Sequence, residues 1–105
     1  MINVEIFGSK PVYGFEIKGH SGYGEEGSDI VCSAVSSATY MTANTITDIV
    51  CVKPEVLICE DGFLKLKLDE SSARKCSDIL DGFVLHIKAL SKDYKKYMKV
   101  TISEV

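Results

Sequence analysis

The chain has no apolar run long enough to span a bilayer. Its N-terminus, MINVEIFGSK, lacks the basic stretch and apolar core of a secretory signal. Both absences point to the cytoplasm and away from membranes. Positive charge is not in excess: 12 Lys and Arg stand against 15 Asp and Glu, a net charge of -3. General nucleic-acid binders carry a basic footprint, so this balance argues against nucleic acid and suits a basic protein or peptide partner. No C-x-x-C pair occurs among Cys32, Cys51, Cys59 and Cys76, so a structural zinc site has no local support. Without a secretory signal a disulfide framework is not expected either. The reading is of free thiols, with Cys51, Cys59 and Cys76 buried among apolar neighbours. No metal or other cofactor is implied. Histidine is scarce: His20 and His86 are the only two candidates for a general base of that type.

What is present suits one small globular domain over residues 1–105. The chain is 46% hydrophobic. A core of this size is modest, and dimerisation would supplement it. Residues 2–7 and 12–18 alternate apolar and polar and read as strands. Ser28-Asp29 signals a helix start, and Val31, Val35, Ala38, Thr42, Thr45 or Ile46, and Ile49 follow at helical spacing. This helix should end near Val50 or Cys51, ahead of Pro54. Residues 56–60 and 63–69 read as two strands joined by a hairpin turn at Asp61-Gly62. A second helix after Ser71-Ser72 carries the stripe Cys76, Ile79 or Leu80, Phe83, Ile87 and Leu90. Met98, Val100 and Ile102 alternate again in a last strand. The order ββαββαβ predicts an α+β two-layer sandwich, a mostly antiparallel sheet covered by two helices. Its inner six elements have the split βαβ order of ferredoxin-like folds.

The least ordinary stretch is GHSGYGEEGSDIVCSAVSS, residues 19–37. Gly19, Gly22, Gly24 and Gly27 fall within nine residues, too many for a simple strand-to-helix turn of about two to six residues. A phosphate loop is the competing reading. No G-x-x-x-x-G-K-[ST] or G-x-G-x-x-G occurs, however, and Glu25-Glu26 would repel phosphate. Cys32 is expected in the first turn of the helix, at its third position if Asp29 is the N-cap. Free backbone N–H groups and the positive end of the helix dipole there would stabilise a thiolate and an oxyanion. His20 closes the second strand, and folding of the glycine loop would return it toward Cys32. Thiolate, base and oxyanion donors are the parts cysteine hydrolysis requires. His86, beside the Phe83 and Ile87 stripe, reads as a partly buried structural histidine.

The motif G-H-S-G … G-S-D-I-V-C-S-A-V-S resembles the signature of the ribosomal-processing cysteine protease family, Prp. Gly19-His20, the glycine loop, Asp29-Ile30-Val31-Cys32 and Ala34-Val35-Ser36 carry the likeness, and chain length and element order fit it. The resemblance implies a Cys–His dyad at Cys32 and His20, with Asp29 and Ser36 as supporting residues. It implies a homodimer, and a glycine loop (Gly19, Gly22, Gly24, Gly27) that moves to admit a peptide. It also implies the substrate, the precursor of bacterial large-subunit ribosomal protein number twenty-seven, cut after an aromatic-rich N-terminal extension during ribosome assembly. Within this frame Asp29 either orients His20 or caps the helix. Ser36 either bonds near the thiol or packs as a small residue. A non-catalytic ribosome-associated binding module is the alternative. It would explain the run KDYKKYMK, residues 92–99, otherwise a solvated helix end. It would leave the placement of Cys32 and the glycine loop unexplained.

Overall fold

Alternation along INVEIF sets Ile2, Val4 and Ile6 on one side of β1 (Ile2–Phe7), and all three are buried. The structure, a computed structural model, describes residues 1–19 and 27–104, with residues 27–29 described by their backbone alone. Strands β2 (Gly14–Lys18), β3 (Val56–Glu60), β4 (Phe63–Lys67) and β5 (Met98–Ser103) complete one sheet in the order β3-β4-β2-β1-β5. Three pairings are antiparallel, and β5 joins β1 in parallel. Register carries one apolar face across the sheet: Ile6 lies opposite Phe15, Phe15 opposite Leu66, and Ile17 opposite Leu64. Period-two alternation sends the intervening residues to the other face, where Glu16 and Lys65 pair at 3.8 Å.

Helices α1 (Gly27–Asn44), α2 (Glu70–Lys75) and α3 (Ser77–Asp93) cover the apolar face. Phe15 of the sheet stacks on Phe83 of α3 with ring centroids 4.4 Å apart. Each such large side chain, fully buried, contributes roughly 1.5–3 kcal/mol. The result is the expected α+β two-layer sandwich. The ferredoxin-like reading needs one adjustment. Strand β1 inserts between β2 and β5, so β5 finds a parallel neighbour. This follows from the first strand's own alternation: INVEIF has an apolar side to bury, and the centre of the sheet buries it.

Three local expectations change. The second helix is two. Asp69 caps α2 by accepting the Ser72 N–H at 2.7 Å, and the chain leaves helical geometry at the buried Cys76 before α3 begins. The first helix begins at Gly27, ahead of Ser28-Asp29, and continues beyond Asn44 as a π-helical turn, Thr45–Ile49. Thr39, Thr42, Thr45 and Thr47 each donate a hydroxyl hydrogen bond to the carbonyl four residues back, a pattern that bends helices. The wider π turn shifts the apolar stripe, so Ile46 is buried but Ile49 is exposed. Lastly, Cys51 and Cys59 are exposed, not buried. Cys51 ends the helical segment with φ +62°. Cys59 stands on the edge strand β3, opposite buried Leu64 and so on the helix side of the sheet, where no helix fully covers it. Among the described residues no helix is long and apolar enough to cross a membrane.

Candidate active site

Strand β2 ends at Lys18, and Gly19 follows with φ +97°. Its N–H donates to the Gly62 carbonyl at 2.9 Å, which ties the end of β2 to the β3–β4 turn. A side chain on Gly19 would stand 2.5 Å from the Met1 carbonyl oxygen. The glycine is therefore required by backbone approach, whatever the loop after it does. Gly62 takes φ +71° in the two-residue turn Asp61-Gly62, as the hairpin signal foretold.

Between this corner and α1 lies a cavity of about 480 Å³. Cys32, Ser36 and Tyr40 line it from the helix, four residues apart and so on one face. Ile17, Leu64 and Cys59 line it from β2, β4 and β3. Gly19, Glu60, Asp61 and Gly62 form its mouth. Cys32 is half-buried and packs against the core. The buried Thr39 hydroxyl donates to the Val35 carbonyl at 2.7 Å, so it adds no unpaired polar group to the wall. Tyr40 and Cys59 share a hydrogen bond of 3.5 Å across the groove. That bond, then the charge of the thiolate and slight burial, push the Tyr40 phenol above its usual pKa.

The structure therefore brings together Cys32, Ser36 and Gly19 among the residues singled out from sequence. Gly27 and Asp29 lie on the backbone of the first turn of α1. His20, Gly22 and Gly24, with Glu25 and Glu26, lie outside the described residues. Because α1 starts at Gly27, Asp29 is its third residue and not its N-cap. Cys32 is its sixth, in the second turn. The thiol thus sits beyond the four unpaired N–H groups of the helix start, and backbone oxyanion donors have to come from the turn before it. His86 is exposed on α3, since it lies off the stripe formed by Phe83 and Ile87. It is neither partly buried nor among the residues lining the cavity. Among the described residues no group of three or more His, Cys, Asp or Glu is placed to hold a metal ion.

Tyr40, Cys59, Glu60 and Asp61 were not foreseen at the site. Tyr40 had a signal, its place two helical steps of four beyond Cys32. The other three had none, because only the strand order β2-β4-β3 brings that hairpin against α1.

The chain is similar to known proteins over most of its length. The family Cysteine protease Prp matches residues 1–99. The ribosomal processing cysteine protease Prp of Bacillus subtilis (strain 168) is 27% identical over 97 residues, covering 88% of this chain and 87% of that protein. Among solved structures, the fold is shared with an essential ribosomal processing protease Prp from S. aureus in complex with a covalently linked product peptide. That match has a TM-score of 0.86 at 21% identity and covers 98% of this chain and 100% of the other. The same S. aureus protease in complex with a substrate peptide matches with a TM-score of 0.83 at 20% identity, over 98% and 100% of the two chains.

Proposed function

The chain belongs to the Prp family of cysteine proteases, and from that premise we propose that it is an endopeptidase that removes the N-terminal extension of bacterial large-subunit ribosomal protein number twenty-seven. The observation that carries the reading is the cavity wall: Cys32 lies near the head of α1, half-buried, with the small Ser36 one turn behind it and a hairpin turn opposite. A peptide can reach the sulfur there without displacing the core.

In this reading Cys32 attacks the carbonyl of the scissile bond after giving its proton to His20, and His20 then protonates the leaving amine. Water hydrolyses the resulting thioester and regenerates the thiol. Support for His20 is its position in the chain, next to Gly19 at the mouth of the cavity. Asp29, on the backbone of the first turn of α1, is assigned the supporting role of orienting His20. Ser36 keeps the wall beside the thiol small. Admission of a peptide is assigned to the segment that contains Gly22 and Gly24, because glycine imposes the least backbone restriction, while Gly27 opens α1. The chemistry requires no cofactor. The precursor's basic body suits the acidic mouth that Glu60 and Asp61 give the cavity. An aromatic residue just before the cut supplies the larger binding term. The working enzyme is a homodimer in the cytoplasm.

The test is incubation with a peptide copying the extension and the first residues after it, followed by mass analysis. One cut after the aromatic residue is expected. An intact peptide after prolonged incubation, with binding retained, would replace the protease by the binding module.

A further inference from the structure

Helix α1 leaves part of the apolar sheet face uncovered. Leu57 and Cys59 on the edge strand β3 lie opposite Leu66 and Leu64, and so belong to the helix-covered face. Their partners are buried, yet Leu57 is 49% exposed and Cys59 is exposed as well. Across from them Tyr40 is 48% exposed. Its hydroxyl meets the Cys59 sulfur at 3.5 Å, an exposed contact that joins helix and strand across the groove. Tyr40 and Cys59 line the same cavity as Cys32, and Leu57 extends this exposed apolar strip by one step along the same face of β3.

We propose that this shelf of Tyr40, Leu57 and Cys59 is a substrate subsite that takes an apolar side chain at the third residue before the cut. It rests on the protease reading above and names a specificity feature of the same site. Distance supports the assignment. Cys32 and Tyr40 are eight residues apart on one helix, about 12 Å along its axis. A helical tyrosine leans toward the helix N-terminus, which brings its ring back toward Cys32. An extended peptide returns a side chain to the same side every second residue, after about 7 Å. The first and third residues before the cut therefore point the same way, one to the cavity and one to the shelf. Polarity supports it too. Glu60 and Asp61 line the cavity at the turn end of β3, beyond Cys59 and away from Leu57, and suit the basic segment after the cut. The chain before the cut then runs back along the groove toward Leu57. The bonded phenol of Tyr40 stays protonated well above neutral pH, so the shelf carries no charge from it that would repel an apolar group.

The experiment separates binding from cleavage. Two fluorescent peptides spanning the cut, with Leu or Asp at the third position before it, are titrated onto the Cys32→Ala protein. The Leu peptide should bind about tenfold more tightly. Adding Tyr40→Ser and Leu57→Ser should bring the two affinities within about twofold. Both side chains are half exposed, so the fold should tolerate the changes. With Cys32 intact, the same pair of substitutions should raise KM for the Leu peptide and leave kcat nearly unchanged. Leu57→Lys should turn the preference toward the Asp peptide. Equal binding of both peptides, or a preference that survives the substitutions, overturns the shelf even if cleavage is brisk. A preference present without any cleavage by the intact chain overturns the protease reading and leaves the shelf as a peptide site. Conversion of a dimer to a monomer by Leu57→Ser, seen in sedimentation, assigns the surface to a second copy of the chain and overturns the proposal.

Discussion

Gly19 shows how one residue can serve two ends of the chain. Its φ of +97° and the 2.5 Å approach to the Met1 carbonyl exclude a side chain. Gly19→Ala should therefore destabilise the fold by about 1–3 kcal/mol, read from the urea midpoint. An unchanged midpoint would mean that the N-terminus and the β2 end relax freely. The two histidines separate more sharply. His20→Ala should lose roughly 10²- to 10⁴-fold in cleavage rate, the usual worth of a general base. His86 is exposed on α3, and His86→Ala should change neither rate nor stability; steady-state kinetics and thermal melts on both variants decide the assignment. Cys32 and Gly19 were legible in the sequence because a small-residue helix face and a glycine cluster are local signals. The exposure of Cys51 and Cys59 was not. Apolar neighbours in sequence say nothing about whether a helix passes overhead, and β3 lies at the edge where none fully covers it.

At the scale of elements, strands were read well because alternation alone reports which side is buried. The β3–β4 hairpin followed from Asp61-Gly62, where the glycine's φ is +71°. Helix ends were read less well. The second helix starts at the cap Asp69, two residues before the Ser71-Ser72 signal, and breaks at Cys76. The Asp69 cap has a pH signature. The Ser72 N–H donated to it holds its carboxyl below the ordinary 3.8. A lowered folded pKa means stabilisation that is complete above the unfolded pKa and lost as pH falls through the folded one. The stability gap between the chain and its Asp69→Ala variant should be widest near neutral pH. It should narrow below about pH 4 and close in stronger acid. Denaturant melts across that range measure it; a gap independent of pH would show that the charged cap contributes nothing.

For the whole molecule, the sheet order decides what local patterns cannot. Placing β4 and β3 beyond β2 carries the acidic turn to the mouth of the cavity, forty residues and a helix away from Gly19 in the chain. That juxtaposition predicts a modest electrostatic role. Glu60→Gln with Asp61→Asn should weaken cleavage of a lysine-rich peptide by raising KM. Exposed pairs contribute roughly 0–1 kcal/mol each, so the loss should be severalfold at low salt and fade as salt rises. A loss that ignores salt would point to a structural cause. The proposed hydrolysis rests on one sulfur, that of Cys32. Its most direct measurement is cleavage of the extension peptide by purified Cys32→Ala, with circular dichroism confirming the fold. A folded protein that yields no product on the time scale of the intact chain's full turnover is expected. Product formed by that variant at a rate comparable to the intact chain would contradict it.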